Sequence, residues 1–287
     1  MVVVLLVLLC LIQTVPGAPP KLTNENGAKA SLKNGILELR GGSGWLRTPR
    51  PLLDFEVKFE IRALTPDADP GLIVRTWRGW ERWPDVGYRL MIPTTTGVDV
   101  SHLLIGRRQN LRVIQQGTLD LRPPGEWQQV QVNGQGNRIR LAVNNILVCD
   151  FAVEHYGGYL MIDNRKGRVE FRNITLRSSE LNEAIPPDVL TDEQLKASGG
   201  QEPKVLHEVK PIYTPEAMRG VIQGVVVIEA MVLADGSVGP VRVTRGLDAD
   251  LDVSAVAALK AWRFRPAVVN GSPVPIVVKV EMSFTLK

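Results

Sequence analysis

Residues 261–287 read AWRFRPAVVNGSPVPIVVKVEMSFTLK and end on the most regular strand pattern in the chain. Apolar and polar residues alternate from 276 to 287. The apolar positions are Ile276, Val278, Val280, Met282, Phe284 and Leu286. Because side chains of a strand point to opposite faces in turn, this pattern predicts a half-buried β-strand. Pro273 and Pro275 fall at its start, where a missing N–H is tolerated.

The residues before this strand, from 204 onward, predict a compact α+β unit. PEAMRGVI predicts a short helix that begins with Pro215, where the missing N–H costs nothing. GVVVIEAMVL predicts an apolar strand, ADG a hairpin turn, and VGPVRVT the return strand. Asp248 or Asp250 is expected to cap an Ala-rich helix with one apolar face, which ends near Trp262.

In combination these segments resemble the C-terminal domain of TonB. The matching stretches are PIYTPEAMRGVIQG, VVVIEAMVLADGSVGPVRVTRG and the final LDVSAVAALKAWRFRPAVVNGSPVPIVVKVEMSFTLK, which together span about 204–287. The resemblance implies helices packed on a small antiparallel sheet. In TonB this domain carries inner-membrane energy to outer-membrane receptors, and it captures the receptor's extended TonB box as an added strand.

The resemblance makes the last strand an expected edge or near-edge strand. An extended peptide of an outer-membrane or envelope protein, or a second copy in a homodimer, would pair along it. The expected edge positions are Val277, Lys279, Glu281, Ser283 and Thr285. Energy transduction also implies a membrane-spanning helix coupled to a motor and a long Pro-rich spacer. Here the N-terminal apolar segment is short, and a folded β domain replaces the spacer.

Residues 28–177 predict an antiparallel β-sandwich. Short, partly alternating runs follow one another with Gly, Asn, Asp and Pro between them. NN in LAVNNILV and DN in MIDNRKG are typical of turns, because Asn and Asp tolerate left-handed backbone. Residues 178–203 then predict a linker with one short helix near Thr191.

The sandwich resembles the concanavalin-like jelly roll of the 3-keto-disaccharide hydrolase family over about residues 32–177. The carrying segments are FEVKFEIRA, DPGLIVRTW, GYRLMI, PPGEWQQVQVNGQGNRIRLAVNNILVCDF and RVEFRNITLR. The resemblance implies two packed sheets with a face that can bind sugar. The chain departs from the family pattern twice. Arg89 replaces a frequent glutamate, and Asp69-Pro70-Gly71 replaces the usual Asn-Ser-Gly.

Composition and the N-terminal segment limit the possible cellular location of the protein and the classes of partner it could bind. The hydrophobic content of 44% and the charged content of 22% are typical of a globular chain. With a net charge of +4 and no basic block, we expect no nucleic-acid partner. Residues 2–12 form an apolar run shorter than the ~20 residues of a membrane span, so 1–18 predicts a signal peptide and a periplasmic or envelope location. The alternative is an uncleaved short anchor. Cys149 is expected to be a buried core residue.

TWRGWERWPDVGY is the most unusual local stretch. Its tryptophans predict a carbohydrate platform, because aromatic rings stack on the apolar face of a pyranose. The predicted sugar-binding residues are Arg75, Trp77, Trp80, Trp83 and Tyr88. The alternative is a loop whose tryptophans fold back over the sandwich.

Catalysis would require a pair of carboxylates about 5–10 Å apart. The weak candidates are Glu126, Asp163 and Glu170, and the arginine at position 89 argues against hydrolysis. No cofactor is expected. Concanavalin-like folds can hold structural calcium, for which Asp163 and Asn164 are candidate ligands, although turn formation explains them equally well. The three histidines lack the spacing of a metal site.

The sequence thus leads to three hypotheses. The first is an exported envelope adaptor that binds a glycan through the sandwich and an extended peptide, or itself, through the TonB-like unit. The second is a glycoside-cleaving enzyme of the 3-keto-disaccharide hydrolase type. The third is a TonB-type energy transducer for outer-membrane transport, which needs a retained membrane anchor.

Overall fold

The chain is mainly β and divides into two compact units after Ser179. The computed structural model describes residues 22–77, 87–94, 102–105, 109–111, 121–123, 125–153 and 156–286. The predicted signal segment, residues 1–18, lies outside the described residues. The predicted fold class, a β-sandwich followed by a small α+β unit, is confirmed.

The first unit is built from antiparallel strands alone in its described part. In chain order the strands are β1 (Thr23–Glu25), β2 (Lys29–Lys33), β3 (Ile36–Arg40), β4 (Trp45–Arg47), β5 (Phe55–Ala63), β6 (Pro70–Thr76), β7 (Gly87–Met91), β8 (His102–Ile105), β9 (Gln109–Leu111), β10 (Gln128–Gln135), β11 (Arg138–Val143), β12 (Ile146–Ala152), β13 (Tyr159–Asn164) and β14 (Arg168–Ser178).

These strands form two seven-stranded sheets. The front sheet has the order β1-β4-β13-β6-β7-β8-β9, and the back sheet has the order β12-β11-β10-β5-β14-β3-β2. Runs of consecutive strands, such as β6 to β9 and β10 to β12, alternate with pairs that are far apart in sequence, such as β13 with β6 and β5 with β14. Such crossovers are typical of a jelly roll rather than a simple meander.

The hydrophobic core lies between the two sheets. The back sheet alternates cleanly: along β5 the residues Phe55, Val57, Phe59 and Ile61 are buried, and the charged residues between them face outward. Phe59 packs on Phe171 of β14 with ring centroids 5.6 Å apart. The front sheet contributes apolar residues such as Leu72, Leu90 and Ile162 to the same core.

Two central strands of the front sheet differ because they are buried on both faces. Every residue of β6 and of β13 is buried, both those that point into the core and those that point away from it. Polar side chains on the outward face of these two strands therefore lie in a largely dry environment, where they need partners.

Asparagine turns close several hairpins. Asn144 and Asn145 join β11 to β12 with φ of 49° and 66°, as the NN pair predicts. The DN pair is different. Asp163 and Asn164 are the last residues of β13 and are buried, and the chain turns after them with Gly167 at φ 62°. The prediction of a turn at Asp163-Asn164 was therefore wrong.

The second unit, Glu180–Lys287, contains the three helices of the described chain. Its elements are β15 (Leu190–Thr191), α1 (Asp192–Ala197), β16 (Lys204–His207), α2 (Pro215–Arg219), β17 (Gly224–Val232), β18 (Val238–Arg245), α3 (Ala249–Lys260), β19 (Arg263–Arg265), β20 (Ala267–Val269), β21 (Ser272–Val274) and β22 (Ile276–Phe284).

The main sheet of this unit has the order β15-β22-β17-β18. Helix α3 packs against β17 and β18, whereas α1 packs against β22. Asp248 caps α3, because its Oδ1 accepts from the backbone N–H of Asp250 at 3.0 Å. Trp262 follows the helix and donates its Nε1–H to the carbonyl of Val209 at 2.8 Å.

Most of the expected linker belongs to the second unit, which begins at Glu180. Leu190 and Thr191 pair in parallel with Ile276 and Val277, and Thr191 forms a capping box with Gln194 at the start of α1. This stretch therefore packs beside the last strand of the second unit's sheet.

Candidate functional site

The outward face of the front sheet holds a buried ion-pair network. The Nε of Arg89, on β7, lies 3.1 and 2.9 Å from the two carboxylate oxygens of Asp163, on β13. Its NH2 donates to the carbonyl oxygen of Asp69 at 2.8 Å and to the Oδ1 of the same residue at 3.1 Å. The side chains of Arg89 and Asp163 are only 2% and 1% exposed. We call Arg89, Asp163, Asp69 and Arg165 the front-face cluster.

Gly71 makes room for this network. It lies on β6, between β7 and β13, and pairs with Asp163 in the ladder. A Cβ at position 71 would lie 2.4 Å from Asp163 Oδ1 and 2.5 Å from Arg89 Nε. The two departures from the family pattern, Arg89 and Asp69-Pro70-Gly71, therefore both belong to the ion-pair network around Asp163.

Charges in the front-face cluster balance, with two arginines and two aspartates. Arg165 lies 3.6 Å from Asp163. Burial raises the pKa of Asp163, and the charge of Arg89 and its hydrogen bonds act in the opposite direction. Burial also lowers the pKa of Arg165, and so does the positive charge of Arg89. Pairing with Arg89 thus offsets part of the cost of burying the Asp163 carboxylate.

The structure does not bring the candidate carboxylates together. Asp163 points outward from the front sheet, because its neighbour Ile162 lies in the core. Glu170 points outward from the back sheet, where Arg62 Nε donates to it at 2.7 Å. The two lie on opposite sides of a core about 10 Å thick, so they cannot flank one glycosidic bond. Glu126 is exposed in the turn before β10.

Asp163 and Asn164 do not fit a calcium site. Both oxygens of Asp163 face the Arg89 guanidinium, and Asn164 donates its Nδ2 to the carbonyls of Leu39 and Gly167, each at 3.2 Å. Only Asn164 Oδ1 lacks a partner. A calcium ion at these oxygens would have to displace the buried Arg89 guanidinium from Asp163, and calcium needs six to eight oxygens.

Arg75 is buried rather than presented to a surface. It is 1% exposed and adopts φ of 55°. Its guanidinium donates to the carbonyls of Leu53 and Gly136 and lies between the rings of Phe55 and Tyr156, 5.3 and 5.0 Å from their centroids. Burial lowers the pKa of Arg75 to about 10, so it stays charged at neutral pH. Its role in the described structure is to tie loop carbonyls together.

Two predicted sugar-binding aromatics are also interior. Trp77 is 1% exposed, and its ring meets Tyr159 edge-on at 6.4 Å. Tyr88 is 2% exposed, belongs to the main core and packs on Phe151. As placed, Arg75, Trp77 and Tyr88 cannot stack on a sugar, and for Trp77 the alternative of folding back over the sandwich fits better. Trp80 and Trp83 lie outside the described residues.

Sequence reasoning missed a third buried cation of the front sheet, after Arg75 and Arg89. Arg47 of β4 donates its Nε to Glu25 at 2.7 Å and its NH1 to the Thr48 carbonyl at 2.8 Å. Its guanidinium lies 4.1 Å from the ring centroid of Tyr159. The three-residue strand carries too little pattern for such a contact to be predicted.

A shallow depression of about 490 Å³ lies where β5 begins and where β10 and β14 end. None of the predicted sugar-binding residues lines it. Its lining includes Asp54, Phe55, Asn133, Gln135, Arg140, Arg177 and Ser178. This mixture offers both hydrogen-bond donors and acceptors at the surface of the first unit.

Strand β22 presents the candidate peptide edge. On one side it pairs with β17 along its whole length, from Ile276 to Phe284. On its other side only Ile276 and Val277 are paired, by the two-residue β15. Among the described residues, no strand covers that side from 278 to 284. Lys279, Glu281 and Ser283 are exposed, as the alternation predicts, whereas Thr285 and the 37% exposed Leu286 lie beyond the end of the strand.

Each of the two units matches a known protein-family model. Residues 19–177, more than half of the chain, match the family model of the 3-keto-alpha-glucoside-1,2-lyase-like domain, and the chain belongs to that family. Residues 209–286 match the model of the Gram-negative bacterial TonB protein C-terminal. Both resemblances read from the sequence are therefore confirmed. No helix in the described part of the chain is long and apolar enough to cross a membrane.

Individual relatives cover one unit at a time. Protein TonB of Xanthomonas campestris pv. campestris, in two strains, is 36% identical over 77 residues, which is 26% of this chain and 34% of TonB. The match thus spans about a third of the length of those relatives. The carbohydrate-binding module CBM66 of Bacillus subtilis is 14% identical, with a TM-score of 0.43, over 55% of this chain and 95% of the module. A Bacillus subtilis protein of unknown function with a galectin-like fold is 10% identical, also with a TM-score of 0.43, over 55% of this chain and 89% of that protein.

Proposed function

We propose that this protein is an adaptor of the bacterial envelope that binds an extended peptide through β22 and a glycan through the sandwich. The observation that carries the proposal is the open side of β22 from 278 to 284. An unpaired strand edge offers a row of N–H and C=O groups to an incoming strand. The TonB C-terminal match supports the same use and an envelope location.

Exposed side chains on β22 would supply the selectivity. Backbone hydrogen bonds of an added strand are independent of sequence, and each contributes only about 0.5–1.5 kcal/mol net. Lys279 and Glu281 carry opposite charges, two positions apart on the same exposed face. A peptide with complementary charges at the same spacing would gain cross-strand pairs worth about 0.2–1 kcal/mol each.

Glycan binding without cleavage is the use of the sandwich that we favour. Membership of the 3-keto-alpha-glucoside-1,2-lyase-like family supports a saccharide ligand. Cleavage is disfavoured, because Asp163 is held by Arg89 and Glu170 lies across the core. The depression beside Asn133 and Arg177 offers hydrogen-bond donors and acceptors to a polar ligand.

The peptide half is tested with the full chain and an array of overlapping peptides from outer-membrane proteins. Each binder is resynthesised with N-methyl groups at alternate backbone positions, which removes hydrogen bonds and leaves the side chains unchanged. One of the two alternating N-methyl series should abolish binding and the other should preserve it. Binding that survives both series would rule out strand addition.

The glycan half is tested on a glycan array with two pairs of variants. Asn133→Ala and Arg177→Ala alter the depression, whereas Trp80→Ala and Trp83→Ala alter the predicted aromatic platform. Loss of binding in one pair alone identifies the sugar site. If the full chain binds no glycan, the adaptor proposal loses its sandwich half.

A further inference from the structure

Strand β18 forms the edge of the second unit's main sheet opposite β22, and side chains bind its outward N–H groups. Strand β18 pairs with β17 on one side and is the last strand of the sheet on the other. On that outer side the backbone N–H of Val241 donates to Glu183 Oε2 at 3.0 Å, and the backbone N–H of Val243 donates to Asn182 Oδ1 at 2.8 Å. Side-chain oxygens thus satisfy two successive outward donors that a neighbouring strand would otherwise bind.

Glu183 holds Val241 at two points. Its backbone N–H donates to the Val241 carbonyl at 2.7 Å, while its carboxylate accepts from the Val241 N–H. Residue 183 therefore imitates one residue of an added strand. The same carboxylate accepts from Lys260 Nζ at 2.7 Å, and that ammonium also donates to the Gly239 carbonyl at 2.6 Å. Lys260 thus fixes the position of the carboxylate from the end of α3.

We propose that Asn182 and Glu183 form an edge guard, a built-in cap that keeps β18 from pairing with an extended strand of a second copy of this chain. The inference rests on the proposed function for its biological sense, because it leaves β22 as the edge at which partners dock. Without the guard, the sheet would present an unpaired edge on each side.

Geometry favours self-association as the event that the guard prevents. A sheet with two open edges is complementary to other copies of itself, since the β22 edge of one copy can meet the β18 edge of the next. Such a head-to-tail contact does not close and can propagate into a filament. With β18 capped, that mode is blocked and a single docking edge remains.

Five variants of the full chain test the guard: four single substitutions and the double variant that combines Asn182→Ala with Glu183→Ala. Glu183→Ala removes the acceptor of the Val241 N–H, and Asn182→Ala removes the acceptor of the Val243 N–H. Glu183→Gln keeps an acceptor oxygen at position 183. Glu180→Ala changes an exposed carboxylate of the same segment and is the matched control. Backbone amide exchange is measured by NMR, and self-association by sedimentation.

We expect exchange at Val241 to rise at least about tenfold in Glu183→Ala, and exchange at Val243 to rise similarly in Asn182→Ala. The double variant should self-associate at lower concentration than the wild type. Glu183→Gln and Glu180→Ala should sediment as the wild type does. Unchanged exchange at both amides would overturn the proposal, and so would unchanged sedimentation of the double variant. Amides of β17 report whether the unit stays folded, and the single Asn182→Ala change keeps the test valid if Glu183→Ala unfolds it.

These outcomes are separate from those of the peptide experiment. A wild-type chain that binds no peptide refutes the proposed function but leaves the exchange and sedimentation results to decide on the guard. Conversely, a chain that binds peptide along β22 while the double variant behaves as the wild type retains the proposed function and refutes the guard.

Discussion

Replacing Arg89 with methionine tests the front-face cluster most severely. The change removes the cation that holds both oxygens of Asp163, and it leaves that carboxyl 1% exposed. Removing one partner of a buried ion pair costs about 3–5 kcal/mol, because the other charge stays buried without compensation. We expect the free energy of unfolding of the first unit to fall by that amount at pH 7.

Lowering the pH should reduce the loss of unfolding free energy caused by Arg89→Met. Without Arg89 nothing comparable opposes burial, so the pKa of Asp163 in the folded variant rises above its value in the unfolded chain, about 3.9. Between the two pKa values the folded state binds more protons than the unfolded state. Stability of Arg89→Met therefore increases as the pH falls from 7 towards 5.

Urea-dependent hydrogen exchange of the β6 and β13 amides measures this unit alone. The matched control is Arg165→Met, since Arg165 is 35% exposed and 3.6 Å from Asp163, and should cost less than about 1 kcal/mol. If Arg89→Met costs no more than Arg165→Met at pH 7, or if its deficit grows towards pH 5, the description of the cluster is wrong.

Three further predictions concern single residues. Val221 is a β-branched residue with φ of 51° and is 61% exposed, so Val221→Gly should raise the free energy of unfolding by about 0.5–1 kcal/mol. A loss of stability in urea titration would contradict this backbone conformation. Asp248→Ala should cost about 1 kcal/mol through loss of the α3 cap, and an unchanged melting transition of the second unit would argue against the cap. Burial raises the pKa of Cys149 to about 12, so a thiol reagent at neutral pH should modify the native chain far more slowly than the urea-unfolded chain, and equal rates would show that the thiol is not buried.

Alternation and turn chemistry were enough to predict much of the fold. The back sheet and β22 each have one buried and one solvated face, so apolar and polar residues alternate in their sequences. The Asp235-Gly236 turn and the Pro215 helix start depend on local backbone preferences that a few residues determine. These features are local, and a single sequence contains them.

The front-face cluster could not be predicted in the same way. Strand β13 is buried on both faces, so Asp163 gives no periodic sign of its environment, and its partner Arg89 is 74 positions away in the chain. The guard on β18 was hidden for a similar reason. Asn182 and Glu183 lie in a segment with linker composition, and their partners Val241 and Val243 are about sixty positions away. Only the folded register brings these groups together.

The most direct test of the central claim is amide hydrogen exchange of the full chain with and without a peptide identified on the array. Strand addition predicts that alternate amides between Val278 and Phe284 gain protection, because those N–H groups face the open side of β22. The amides of β17 and the guarded amides of Val241 and Val243 should stay unchanged. Protection that appears at β18 instead, or a bound peptide that leaves residues 278–284 unprotected, would contradict the account.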